Sequence, residues 1–296
     1  MNYFLGLGIN DYPGSSNDLN GCIKDIEKVS FKLKSMNILS TINTLFNDGV
    51  TKHNVESYIR SIYEEHKNNY KIKNKENYLI LYYSGHGTQI IGKEKDGYSE
   101  AFYWYDGPYA DYELRKLFTE CPEGLKIIFF MDSCFSGGMF GIKSFFNKLF
   151  GIKRIKFLEY ETIPEEMLKK TSVIKNRLNN VLVFSGCREN EYSYENNEGG
   201  IFTNAVIKSL NLTKSNKEIC NNINNVIDKS SYPQNPELFS DNEEFKFKLF
   251  LENNEIENPI ENEETEEISD SESNFNWWIL LYLFPIIGIL FYLIFR

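Results

Sequence analysis

The residues of this 296-residue chain best suited to chemistry are a cysteine and a histidine, each in a small polar turn directly after an apolar run. Cys134 ends the stretch KIIFFMDSC before Phe135 and the Ser136-Gly137-Gly138 turn, and His86 sits between two glycines after YLILYYS. A thiolate is a strong nucleophile toward a carbonyl, and an imidazole in reach of it can move the proton that acyl transfer requires. Free cysteine ionises near pH 8.5, so a useful thiolate at neutral pH calls for a neighbour such as an imidazolium. Asp132, two residues before Cys134, is expected on the same side of the strand as the thiol, because strand side chains alternate.

Those two turns need elements that bring them together. Unbroken apolar runs are what strands covered on both faces look like, and open parallel sheets present their chemistry just beyond the carboxyl ends of such strands. The pattern predicts strands over 3–10, 41–46, 78–84, 126–132, 181–185 and 245–250, with helices over 18–36, 52–66, 111–119, 201–210 and 217–227. An exposed hairpin is expected over 88–106, and His53 and His66 are expected as solvated residues at the ends of the second helix. Strands alternating with helices imply an α/β fold, a mostly parallel six-stranded sheet with helices on both faces.

Composition narrows the function classes. The net charge of −10 comes from a segment over 252–273 with ten acidic residues and no basic ones; without it and Arg296, 32 acidic residues face 31 basic ones. No general affinity for nucleic acid follows from that balance. Five scattered cysteines without a CxxC pair suit a reducing compartment, and Cys121, Cys187 and Cys220 read as ordinary buried thiols. Three histidines, none at zinc-site spacing, give no metal cluster. Residues 252–274 read as an acidic disordered linker, too polar to offset chain entropy. Residues 275–295 hold no charge and match the length of a membrane-spanning helix, with Trp277 and Trp278 at one end and Arg296 at the other. No signal peptide is expected, and the expectation is a single-pass C-terminal tail anchor with the preceding domain in the cytoplasm.

Tyr83-Ser84-Gly85-His86-Gly87 followed by Asp132-Ser133-Cys134 and Ser136-Gly137-Gly138 resembles the catalytic motifs of metacaspases, the caspase-like cysteine peptidases. The 48 positions between His86 and Cys134 agree with the spacing of about 50 found in caspases. Leu19–Asp25, Phe184–Cys187, Gly199–Thr203 and Tyr232–Leu238 extend the resemblance over roughly residues 2–250. It implies a caspase-like fold over 1–251, with a connecting region over 139–177 where such enzymes commonly cut themselves after a basic residue. The nine lysines and arginines from Lys143 to Arg177 fall in that region. By the resemblance His86 and Cys134 form a catalytic dyad, the backbone N–H groups of Gly87 and Cys134 hold the oxyanion, and Cys22, Asp25, Ser84 and Asp132 line a slot for arginine or lysine. Two carboxylates in a buried slot would pair with a guanidinium or ammonium. Many metacaspases are activated by calcium, but the matching positions look eroded: Ala101, Tyr112 and Gly141 replace acids, Asp111 remains, and Glu100 stands close by. No metal and no cofactor are therefore expected, with calcium-independent or weakly dependent activity.

The leading expectation is a monomeric, membrane-anchored cysteine endopeptidase that hydrolyses proteins and peptides after Arg or Lys. An inactive caspase-fold scaffold recruiting partners at a membrane is the alternative, and a caspase-fold enzyme cutting after Asp is a third.

Overall fold

Apolar runs without polar alternation form the middle of one sheet. The computed structural model describes residues 1–14, 17–73, 75–91, 98–134, 154–156, 177–188 and 191–252. β1 (Tyr3–Gly8), β2 (Thr41–Phe46), β3 (Asn77–Ser84), β7 (Leu125–Asp132) and β9 (Val181–Ser185) are parallel, and β12 (Glu237–Phe239) adds an antiparallel edge. The order is β12-β9-β7-β3-β1-β2. Every residue of β1 and β3 is buried.

Period-two alternation splits these strands between two cores. Tyr3, Leu5, Leu79, Leu81, Ile127 and Phe129 point toward α2 (Lys52–Lys73) and α3 (Asp111–Thr119), where Val55, Ile59, Leu114 and Phe118 complete one core. Phe4, Ile80, Tyr82, Ile128, Phe130 and Phe184 point the other way. They pack on Ile26, Val29 and Leu33 of α1 (Cys22–Ser35), Phe202 and Val206 of α4 (Ile201–Ser209) and Ile219 and Ile223 of α5 (Asn216–Val226). A three-stranded antiparallel sheet of β4 (Gly87–Ile91), β5 (Tyr98–Trp104) and β6 (Gly107–Ala110) follows β3. A second small sheet joins β8 (Arg154–Ile155), β10 (Tyr194–Asn196) and β11 (Gly199–Gly200).

Two expectations need correction. Residues 245–250 are not the sixth strand: α6 (Glu243–Phe247) occupies the start of that stretch, opened by Asn242, whose side chain accepts from Glu244 N, and β12 closes the sheet instead. His66 is fully buried rather than solvated. The second helix continues past it, and its ring is engaged by the Glu123 carbonyl at 2.9 Å and the Asn77 amide at 3.2 Å.

The expected linker beyond Glu252, the span over 275–295, Gly141 and most of the connecting region lie outside the described residues. Among the described residues, no helix is long and apolar enough to cross a membrane.

Candidate active site

The chain leaves β1 for one side of the sheet and returns as β3 on the other, so the carboxyl ends of β1, β3 and β7 border a switch point, where ligands bind in open α/β sheets. Ser84 and Asp132 are the last residues of β3 and β7 and are register partners. Asp25 lies in the first turn of α1, which follows β1. The topology thus brings three residues distant in sequence to one buried point.

That point holds a lysine. Lys156 Nζ lies 3.0 Å from Asp25 Oδ2 and 2.9 Å from Asp132 Oδ2, with all three side chains fully buried. It also donates to Ser84 Oγ at 2.8 Å. The carboxylates are braced in turn: Asp25 accepts from Ser84 Oγ and from Gly200 N, both at 2.8 Å, and Asp132 accepts from Ser193 Oγ and Thr203 Oγ1, both at 2.6 Å. A Cβ on Gly200 would stand 2.0 Å from Asp132 Oδ2 and 2.8 Å from Lys156 Nζ, so no larger residue leaves the slot open there. Burial raises the Asp25 carboxyl above the usual range, against the opposing pull of Lys156. Burial also works against the Lys156 ammonium, but Asp132 and the other acids around it raise its pKa well above the ordinary value, so it stays charged. Cys22 is buried with its Sγ 4.0 Å from Glu195 Oε2, and burial pushes its thiol upward.

The backbone of the same lysine meets the other turns. Its carbonyl oxygen accepts from Gly87 N at 2.9 Å and from Cys134 N at 3.1 Å, and its own N–H donates to Ser193 O at 3.1 Å. Arg154 and Ile155 run antiparallel to Glu195 and Tyr194, so residues 154–156 lie along β10 as an added strand. A Cβ on Gly87 would stand 1.8 Å from Cys134 O, which is how closely the two turns approach. Cys134 Sγ accepts from Ser193 N at 2.7 Å.

His86 is fixed from two directions. Its ring Nε2 meets Asn17 O at 2.7 Å, which a protonated Nε2 satisfies as donor, and its backbone N–H donates to the Tyr12 hydroxyl at 2.7 Å. The Tyr12 ring is 4.8 Å from the imidazole. Nδ1 is buried without a hydrogen-bond partner, and burial lowers the imidazole pKa to about 4. The expected imidazolium is therefore absent at neutral pH in this arrangement: with the groove filled, His86 is a neutral imidazole whose Nδ1 is an acceptor.

All of the sequence-derived site residues, Cys22, Asp25, Ser84, His86, Gly87, Asp132 and Cys134, surround this one lysine. Lys156, Ser193, Glu195, Gly200 and Thr203 were not singled out from sequence; Gly200 and Thr203 fall inside a motif already noted, while Ser193 and Glu195 carry no local signal.

Among the described residues, the positions matching the family's calcium site contribute the carboxylates of Glu100 and Asp111. Ala101 is fully buried and pairs with Ala110 in the β5–β6 ladder. Glu100 and Asp111 line a cavity of about 440 Å³ together with Asp241, Glu243, Arg115 and Lys246. Asp111 Oδ1 accepts from Tyr112 N at 2.6 Å, and Asp241 is committed to Arg115 at 2.8 Å and to Leu178 N at 2.8 Å. Acidic and basic side chains thus share the wall of this cavity. Among the described residues no group of three or more His, Cys, Asp or Glu could hold a metal.

Residues 3–248 match the model of the caspase domain of the C14 peptidases, and the chain belongs to that family. It is metacaspase-like within it. Metacaspase-1 of Meyerozyma guilliermondii is 26% identical over 289 residues, covering 80% of this chain and 68% of the relative. Metacaspase-1 of Plasmodium falciparum is 31% identical over 215 residues, and Metacaspase-7 of Arabidopsis thaliana 29% identical over 148. The chain spans only 31% and 34% of the length of those two. In fold it is similar to a Geobacter sulfurreducens protein (TM-score 0.62, 21% identity, 84% of this chain and 97% of the other) and to Caspase-1 of Spodoptera frugiperda (TM-score 0.51, 14% identity, 81% and 86%).

Proposed function

We propose that this chain is a cysteine endopeptidase that cleaves after lysine or arginine, and that its own residues 154–156 occupy the groove as a substrate does. One observation carries the reading: Lys156 has its ammonium between two buried carboxylates and its carbonyl oxygen on two backbone N–H groups. A carbonyl held by preorganised donors is poised for attack, because the same donors stabilise the oxyanion that forms. Cys134 adds to the carbonyl carbon after its proton passes to His86 Nδ1. The imidazolium so formed returns that proton to the departing amine, leaving a thioester on Cys134, and water activated by His86 releases the acid. The bond between Lys156 and Phe157 is the first substrate, so the chain opens its own groove.

A second reading has one observation in its favour. Lys156 is completely buried, as a permanent plug in an inactive scaffold would be. Incubating the purified chain separates the two: a fragment beginning at Phe157, absent from Cys134→Ala, together with cleavage of Lys and Arg peptides but not Asp peptides, supports the enzyme. An intact, inert chain supports the scaffold and ends the peptidase reading.

The enzyme is further proposed to act as a monomer without calcium, and residues 275–295 to anchor it by a C-terminal tail with the catalytic unit in the cytoplasm. The apolar length of that segment supports the anchor. Carbonate extraction of membranes tests it: a chain lacking 275–295 must move to the soluble fraction.

A further inference from the structure

Cys187 takes no part in the hydrolysis described above, yet it stands against the nucleophile. β7 and β9 are adjacent and parallel, paired for the last time at Met131 and Ser185, and Gly186 N then donates to Met131 O at 2.8 Å. Cys134 lies just past one strand end and Cys187 just past the other. Continuing that register sets Cys187 opposite Ser133 and makes Cys134 its diagonal neighbour, roughly 6 Å away from a strand spacing of about 4.8 Å and a rise of about 3.3 Å, inside the Cα separation of roughly 4.4–6.8 Å that a disulfide spans. Cys187 Sγ is 3.7 Å from Ser133 O, the carbonyl immediately before Cys134, and 3.5 Å from Glu191 O. The Cys134 thiol is close enough to act directly on the ionisation of Cys187. Both thiols are free and buried.

We propose that Cys134 and Cys187 are a modification site, closing into a reversible disulfide when a peroxide oxidises the nucleophile. The Cys134 sulfur attacks hydrogen peroxide, the O–O bond breaks, and Cys134 becomes a sulfenic acid with release of water. The Cys187 sulfur then displaces the sulfenic hydroxyl; the S–S bond forms, and the Cys187 proton leaves with that hydroxyl as a second water. Two thiols lose two electrons and the peroxide gains them. The contact with Cys134, and burial after it, push the Cys187 thiol upward. In the reduced protein it therefore keeps its proton, which faces the carbonyls of Ser133 and Glu191, and is not a competing nucleophile. The disulfide also stops the nucleophile short of sulfinic acid, from which a thiol is not regained by ordinary reductants.

The consequence for activity rests on Cys134 being the nucleophile, but the bond itself rests only on the proximity of the two sulfurs, so it is read without an activity assay. Full-length wild-type and Lys156→Gln chains, the latter to open the groove, are treated with hydrogen peroxide, digested without reduction and mapped by mass spectrometry. The expected product is a peptide pair joined through Cys134 and Cys187, about 2 Da lighter than the reduced pair and separated by dithiothreitol. In Cys187→Ser or Cys187→Ala, the same exposure carries Cys134 to sulfinic acid, and dithiothreitol no longer restores its thiol. Sulfinic acid on Cys134 in both Cys187-containing chains, or unmodified thiols with no linked pair, overturns the proposal. A linked pair in a chain that never cleaves peptide leaves this inference standing and removes the peptidase reading; active, unlinkable enzyme does the reverse.

Discussion

Replacing Lys156 by glutamine is the most direct perturbation of the filled groove. It removes the ammonium from between Asp25 and Asp132 while keeping most of the side-chain stem. Truncating one partner of a buried, hydrogen-bonded charge pair costs about 2–5 kcal/mol. The lower end applies here: Ser84, Gly200, Ser193 and Thr203 continue to donate to the two carboxylates, and water reaches them once residues 154–156 lift away. About 2 kcal/mol is roughly a 30-fold shift from filled to open groove, since 1.4 kcal/mol is tenfold. Freshly purified Lys156→Gln chain should therefore hydrolyse a fluorogenic lysine peptide at an initial rate at least about tenfold above unprocessed wild type. It should release no fragment beginning at Phe157, and the wild-type rate should climb toward it as processing proceeds. Equal initial rates, with a Phe157 fragment appearing from both chains, would refute the idea that Lys156 is a bound substrate.

The remaining predictions concern the charges and protons of the site. Asp25→Asn and Asp132→Asn should each lower kcat/KM for lysine peptides by about 30-fold or more, by the same buried-pair argument; a change below threefold, measured by steady-state kinetics, would detach the carboxylates from specificity. Because burial raises the Asp25 carboxyl, it takes up a proton at a higher pH than an ordinary carboxylate and loses its attraction for a cation. KM for lysine peptides should accordingly rise as the pH falls from neutrality toward 4, and Asp25→Asn should flatten that rise. His86 is held to about 4 by burial, below its unfolded value, so the unfolded chain binds the extra proton between about 6.5 and 4. The stability this contributes is fully present above that window and is lost as the pH drops through it. His86→Gln should show a smaller fall in melting temperature from pH 7 to 4. Activity should survive a calcium chelator, and an absolute need for millimolar calcium would contradict the mixed-charge wall around Asp111 and Arg115.

The central strands were legible because burial on both faces removes polar alternation, as in β1, β3 and β7. The gathering of Asp25, Ser84 and Asp132 at one point was legible through their motifs, which fix which residues end each strand. The last strand was not. Phe245, Phe247 and Leu249 alternate as a strand would, but Phe247 is 67% exposed, and the stretch opens as a capped helical turn. β12 is three residues long, too short for periodicity to register. His66 was misjudged because its partners, Glu123 O and Asn77, belong to other elements, and helix amphipathicity says nothing about acceptors across the core. Lys156 is one of nine similar charges in its region, and only the completed sheet distinguishes it from the others. The neutral state of His86 depends on burial by folded neighbours, which spacing along the chain does not encode.

The trap around Lys156 is assembled from residues 25, 84, 132, 193, 200 and 203. During synthesis the lysine therefore leaves the ribosome before half of its binding site, residues 193, 200 and 203, has been made. A nascent chain carries the bait and the sulfur but lacks the Gly200 brace on Asp25, both braces on Asp132 and the β10 edge along which a peptide must lie. Proteolytic competence is thereby tied to chain completion, and a truncated translation product ending before Ser193 would be harmless to itself and to its neighbours.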